Sequence, residues 1–206
     1  MLTIAWLGLV ATPCAGQSFD QLLRAADQGD VQTVGGFLDK GLDPNTADPH
    51  GNTLLMIAAR HGHLDLARFL ISRKASVTRR SPHGDSALMF ASLKGHLAMA
   101  MLLVENGAEI THSGWTPLHY AAFEGGPELV KYLVAKGAER NGLAPNGYTP
   151  LMLAAMTSQV ETARVLLYED VDLSIRSPKG QTALGIAKDQ KSSEMETLLR
   201  RAGVVE

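Results

Sequence analysis

Cysteine is almost missing from this chain. The single one, Cys14, lies among the first sixteen residues of 206. If that segment is removed from the mature protein, disulfides, thiolate zinc sites and a cysteine nucleophile are all excluded together. Aromatic residues are only 5% of the chain, little for an enzyme with a large mixed core. Net charge is also small. Nineteen basic against twenty-one acidic residues leave a formal charge of -2, so bulk charge points to neither a nucleic-acid nor a membrane-surface partner. No Walker A loop, Rossmann glycine fingerprint, H-E-x-x-H or G-x-S-x-G motif occurs, which leaves the usual phosphate, dinucleotide, zinc-protease and serine-hydrolase chemistries without a signature. Acidic residues are scattered rather than paired, so no glycosidase-like dyad can be proposed.

What is present begins with MLTIAWLGLVATPCAG, which carries no charged side chain. Its apolar run from Leu2 to Ala11, then small residues and Pro13, reads as a secretory signal peptide over residues 1–16 with cleavage near Gly16/Gln17. The n-region has no Lys or Arg, which argues against that reading. An uncleaved membrane anchor, a mis-set start codon and lipidation at Cys14 are the alternatives. The run is shorter than the about 20 apolar residues a spanning helix needs. Export by this route predicts a periplasmic or secreted protein.

Self-comparison then exposes an internal period. Gly51, Gly84, Gly114, Gly147 and Gly180 lead five similar segments, spaced by 33 residues except for the interval of 30 between Gly84 and Gly114. A second glycine follows at Gly107, Gly137 and Gly203, replaced by Lys74 and Asp170 in the other two copies. Thr53, Ser86, Thr116, Thr149 and Thr182 sit where a hydroxyl caps a helix N-terminus, and Pro117 and Pro150 follow at the first helical position. Gly62, Gly95 and Gly125 are placed to end that helix in the left-handed conformation. A second helix carries the apolar pairs Phe69/Leu70, Leu102/Leu103, Tyr132/Leu133, Val165/Leu166 and Leu198/Leu199. One such unit cannot bury its apolar face alone, but a stack can. Six units are expected, at about 18–47, 48–80, 81–110, 111–143, 144–176 and 177–206, the first without a leading turn. The third is three residues short near "EITHSG", which predicts a stunted or misaimed connection there.

These units resemble ankyrin repeats, with "TPLHYAA" from Thr116 and "TPLMLAA" from Thr149 as the best copies of T-P-L-H-x-A-A. The match covers Ser18 to about Gly203. The resemblance implies an α-helical solenoid of helix-turn-helix units with short β-hairpin fingers. It also implies that the T-P-L-H histidine, kept only as His119, bonds between neighbouring loops, and that junctions with methionine instead lean on packing. His63 and His96 stand at the repeat's G-H position, and His50 and His83 at equivalent finger positions, so the seven histidines read as repeat furniture before they read as a metal or acid–base site. The basic stretch Arg73, Lys74, Arg79, Arg80 reads first as a solvated loop and second as a patch that steers an acidic partner.

In such a fold, binding residues lie on the finger tips and at the end of each first helix, along the concave face. In this frame Leu93, Trp115, Phe123, Tyr148 and Met156 gather on the central units, with His83 and His112 beside them. Core positions are already filled by other residues, so these aromatic and apolar side chains read as contact anchors for a partner. The alternative is that Trp115 and Tyr148 pack on the neighbouring finger. The expected activity is binding of another protein by a monomeric, exported module, an accessory or immunity protein of an exported enzyme, with no catalytic residue, cofactor, metal or nucleic acid. An envelope role without one cognate partner, and an enzyme using His61 or His63, are the competing classes.

Overall fold

The computed structural model describes residues 15–204, and side chains from Ser18 onward. The signal-peptide reading, with Cys14, therefore falls almost wholly outside the described residues. Twelve helices among the described residues form six antiparallel pairs. The first helices of the pairs are α1 (Ala15–Gln28), α3 (Leu54–His61), α5 (Ala87–Leu93), α7 (Pro117–Glu124), α9 (Pro150–Met156) and α11 (Ala183–Asp189). The second helices are α2 (Val31–Asp39), α4 (Leu64–Ser72), α6 (Leu97–Glu105), α8 (Pro127–Ala135), α10 (Val160–Tyr168) and α12 (Ser193–Arg201). Each first helix packs on the first helix of the next pair, and each second helix on the next second helix, giving a two-row α-helical solenoid.

The helices are seven to nine residues long apart from α1, too short to stand alone, so side-chain burial between pairs holds them. Small residues line the first row: Ala58, Ala59, Ala121, Ala122, Ala154 and Ala155 are fully buried. In the second row one face is apolar at i, i+1 and i+4, as in Leu66, Ala67 and Leu70, or Leu129, Val130 and Leu133. Of each apolar pair read from the sequence, the second member is the one fully buried: Leu70, Leu103, Leu133, Leu166 and Leu199. Each of these leucines contributes about 1.5–3 kcal/mol.

The ends of the helices follow the hydroxyls and glycines. Thr53, Ser86, Thr116, Thr149 and Thr182 each accept from the backbone N–H three residues on, at 3.2, 3.3, 3.5, 3.2 and 3.5 Å. Gly62, Gly95 and Gly125 turn the chain with φ of 73, 67 and 93°. Lys74 and Asp170 take the same left-handed conformation, φ 70 and 56°, where other copies have glycine. Ser158 and Lys191 do so at the end of the first helix of the last two pairs.

The fingers differ from the expected hairpins. Among the described residues they hold no strand, only isolated bridges Ala47 to Thr53 and Arg80 to Ser86. Two residues on either side of the turn are too few to build a ladder. Four fingers still share one backbone pattern, the leading-glycine N–H donating to the carbonyl three residues before it, closed by Asp48 N–H to Asn52 O, Ser81 to Asp85, Ala144 to Tyr148 and Ser177 to Gln181. The finger at Gly114 lacks that closure among the described residues. Its connection runs over 106–116, against 73–86 and 136–149 on either side, so the missing three residues do stunt it.

Candidate functional site

Two contacts recur between successive units, and both involve a glycine. In the first, the proline two residues before one leading glycine lies against the leading glycine of the preceding finger. A Cβ on Gly51 would stand 2.3 Å from Pro82 and one on Gly147 2.5 Å from Pro178, while Gly114 is 3.9 Å from Pro145 by the same construction. In the second, the side chain before each second helix seats on the glycine that ends the preceding unit's first helix. His63 covers Gly29, His96 covers Gly62, and Gln159 covers Gly125. His63 also bonds the Asp27 carbonyl at 2.7 Å, and Gln159 donates to the Glu124 carbonyl at 3.0 Å. Gln159 thus stands in for the histidine that the fifth unit lost.

Both contacts fail at one junction. His112 occupies the proline position above Gly84 and Gly126 the histidine position above Gly95, and nothing comes within 4 Å of a Cβ at either Gly84 or Gly95. A pocket of about 330 Å³ opens between those two fingers, lined among others by Arg80, His83, Asp85, His112, Trp115 and Tyr120. Three of the residues read from the sequence, His83, His112 and Trp115, meet there.

Arg80 spans the gap. It donates to the Gly84 carbonyl at 2.9 Å, to His112 Nε2 at 3.1 Å and to Glu109 Oε2 at 2.9 Å. A guanidinium only donates, so His112 Nε2 is the acceptor and its Nδ1–H donates to the Ser113 carbonyl at 2.8 Å. The Arg80 charge in turn holds the Glu109 carboxyl below its ordinary pKa. Trp115 leans on Tyr120 with ring centroids 5.5 Å apart at 33°, and meets the His119 ring edge-on at 5.9 Å. The Tyr120 hydroxyl points to Asp85 Oδ1 at 3.5 Å, and burial, then the Asp85 charge, raises its pKa.

Beneath the pocket His119 is fully buried. Its Nδ1 accepts from the Thr116 N–H at 3.2 Å, so Nε2–H donates to the Gly142 carbonyl at 2.9 Å in the next connection. This is the loop-to-loop bond the resemblance implies. Burial holds the His119 pKa below its ordinary value. At the equivalent position Met56 accepts the Thr53 N–H on sulfur at 3.4 Å, so a thioether can cap as well as pack.

The remaining candidates are spread along the same register. Gln181 and Asp189, at the finger and helix-end positions of the last unit, bond to each other at 2.6 Å. The same two positions carry Asp85 and Leu93, Trp115 and Phe123, and Tyr148 and Met156. Phe123 is 38% exposed, a large share for phenylalanine. Tyr148 and Met156 are half-buried against the core cluster, so they serve packing as well as the surface. Leu93 is half-buried and His83 exposed. Of the basic stretch, Arg73 pairs with Asp39 at 2.7 Å and Arg80 with Glu109, so two of its four charges are satisfied within the molecule. Tyr120 escaped the sequence reading. Its counterparts are Ile57, Phe90, Leu153 and Ile186, and a hydroxyl in that apolar column was the signal that could have found it.

The family model for ankyrin repeats (three copies) matches residues 22–113, 81–142 and 118–204. The chain belongs to the ankyrin-repeat proteins. It is 38% identical over 115 residues to protein phosphatase 1 regulatory subunit 27 of Mus musculus, and equally so to the Homo sapiens protein, covering 55% of this chain and 55% of each relative. It is 44% identical over 48 residues to a putative ankyrin repeat protein of Pseudomonas aeruginosa, covering 23% of this chain and 28% of that one. The chain thus spans about half the length, or less, of the curated relatives it matches. Among the described residues no group of three His, Cys, Asp or Glu is placed to hold a metal ion. His61 and His63, the sharpest histidine cluster, stack at 5.8 Å over the end of α1, where His61 faces Asp27 at 3.5 Å.

Proposed function

We propose that this ankyrin-repeat protein is an exported binding module that holds a partner protein against its central fingers and regulates it, as the accessory or immunity protein of an exported enzyme. The observation that carries the reading is the Trp115 pocket. It lies at the one junction where neither inter-repeat contact forms, and it presents an indole, a phenol and titratable side chains to solvent. Trp and Tyr anchors with polar neighbours match the composition of binding hot spots. A rigid stack also binds with little ordering cost. The mammalian relatives are named as regulatory subunits, which supports a partner-directed role of this general kind. Export rests on the uncharged, apolar opening segment of the sequence.

The test is capture from a periplasmic extract with wild type and a Trp115→Ala variant of verified fold. One protein held by wild type and weakened by at least about 2 kcal/mol in the variant is the expected result. Equal retention by both removes Trp115 from the interface. Export is checked separately by the mature N-terminus, expected near Gln17. An intact Met1 in the cytosolic fraction refutes it.

A further inference from the structure

The pocket at the short finger has a sign. Arg80 is the only Lys or Arg that lines it, and its guanidinium is turned inward, to Glu109, His112, the Gly84 carbonyl and the Met89 sulfur. Its charge is balanced by Glu109 at 2.9 Å. His112 meets the guanidinium through Nε2 as a hydrogen-bond acceptor. Asp85 is different. Its carboxylate has no cationic partner among the described residues, only long contacts with the hydroxyls of Ser81 at 3.4 Å and Tyr120 at 3.5 Å. It is half-buried, which weakens screening by water. One uncompensated negative charge therefore stands beside two aromatic rings.

We infer that the Trp115 pocket receives a cationic side chain, arginine or lysine, of the bound partner, laid on the Trp115–Tyr120 rings and paired with Asp85. Aromatic faces attract a cation through the ring quadrupole, most strongly for tryptophan. A carboxylate at the edge of the same rings adds a charge-assisted hydrogen bond. The 330 Å³ opening has room for a guanidinium with part of its methylene stem. The same pairing of ring and cation is already used inside the molecule, where the Arg73 guanidinium lies 4.9 Å from the Phe69 centroid and Arg60 5.5 Å from that of Phe90. This inference deepens the binding-module reading and rests on it.

The test titrates the full chain with N-acetyl-arginine amide and with N-acetyl-citrulline amide, which keeps the shape and removes the charge. The readout is the NMR signal of the Trp115 indole N–H, assigned by its loss in Trp115→Phe. Saturable shifts with the arginine probe are expected, at least about ten-fold weaker with citrulline, the equivalent of about 1.4 kcal/mol. Asp85→Asn is expected to bring the arginine probe down to the citrulline level while leaving the thermal midpoint in place. Equal binding of the two probes, or no saturable shift with either, overturns the cation assignment. So does undiminished arginine binding by Asp85→Asn. A captured partner that is lost by Trp115→Ala but kept in full by Asp85→Asn also overturns the cation, while the binding-module reading stands.

Discussion

Replacing His119 with methionine, the residue found at the same position in Met56, Met89 and Met152, isolates what one buried imidazole does for this stack. The Thr116 N–H keeps an acceptor, because sulfur takes that role at Met56. The bond from Nε2 to the Gly142 carbonyl at 2.9 Å is lost, and that carbonyl is only partly open to water. A lost hydrogen bond of about 1 kcal/mol, with part of the cost of stranding its acceptor, gives about 1–2 kcal/mol at pH 8. The loss is not the same at all pH values. The folded-state pKa of His119 lies below the ordinary histidine value of 6.5, because burial penalises the imidazolium. Protonation also places a proton on Nδ1, facing the Thr116 N–H. The unfolded chain therefore binds a proton more readily than the folded one below pH 6.5. The contribution of His119 is complete above that pH and falls as pH drops toward the folded pKa, by at most about 1.4 kcal/mol per unit. All other histidines are common to both proteins and cancel in the difference. Urea unfolding followed by circular dichroism at pH 8 and pH 5 should show wild type ahead at pH 8 and the gap narrowed at pH 5. An equal gap at both refutes a buried, neutral His119 as its source.

Other outcomes follow from the glycines and the pocket. Gly147→Ala should cost about 2 kcal/mol or more than Gly180→Ala, because both sit at similar positive φ but only Gly147 has a proline in the way; paired thermal melts decide it. Lys74→Gly should stabilise by about 0.5–1 kcal/mol by relieving a left-handed lysine, and a fall in the urea midpoint would show that the strain is compensated. Gly125→Ala should destabilise by about 1–2 kcal/mol, chiefly through its left-handed φ of 93°, and Gln159→Ala in the same background should recover only the smaller share that comes from displacing the Gln159 amide.

The repeat frame was legible because it is local chemistry. A hydroxyl before the helix, a glycine after it and an apolar face at fixed spacing are each set by a few neighbouring residues, and the structure has them where the period placed them. The short finger was also legible, as a missing three residues before Gly114. The assembly of the pocket was not. Tyr120 joins Trp115 through ring packing that no spacing encodes, and Arg80 reaches across a junction to Glu109 and His112 some thirty residues on. Gln159 replaces a histidine by shape and a single amide bond, which a letter-by-letter match discards. Tyr148 and Met156 were read as surface anchors. They also close the edge of the core, since the finger folds back over the helix end and half-buries both.

The junction held by Arg80 differs in kind from the others along the solenoid. Elsewhere the fingers nest by proline on glycine, or the helix ends by an imidazole or the Gln159 carboxamide on glycine, contacts that depend little on salt. Between the third and fourth units an ion pair of modest burial takes over from both. Screening by a few hundred millimolar salt weakens that pair, and at the first junction the more exposed Arg73–Asp39 pair. The α5–α7 packing remains, so hydrogen exchange in high salt should rise first in the connection over 106–116 rather than in the helices, and whatever occupies the Trp115 pocket acts as a clasp across that finger.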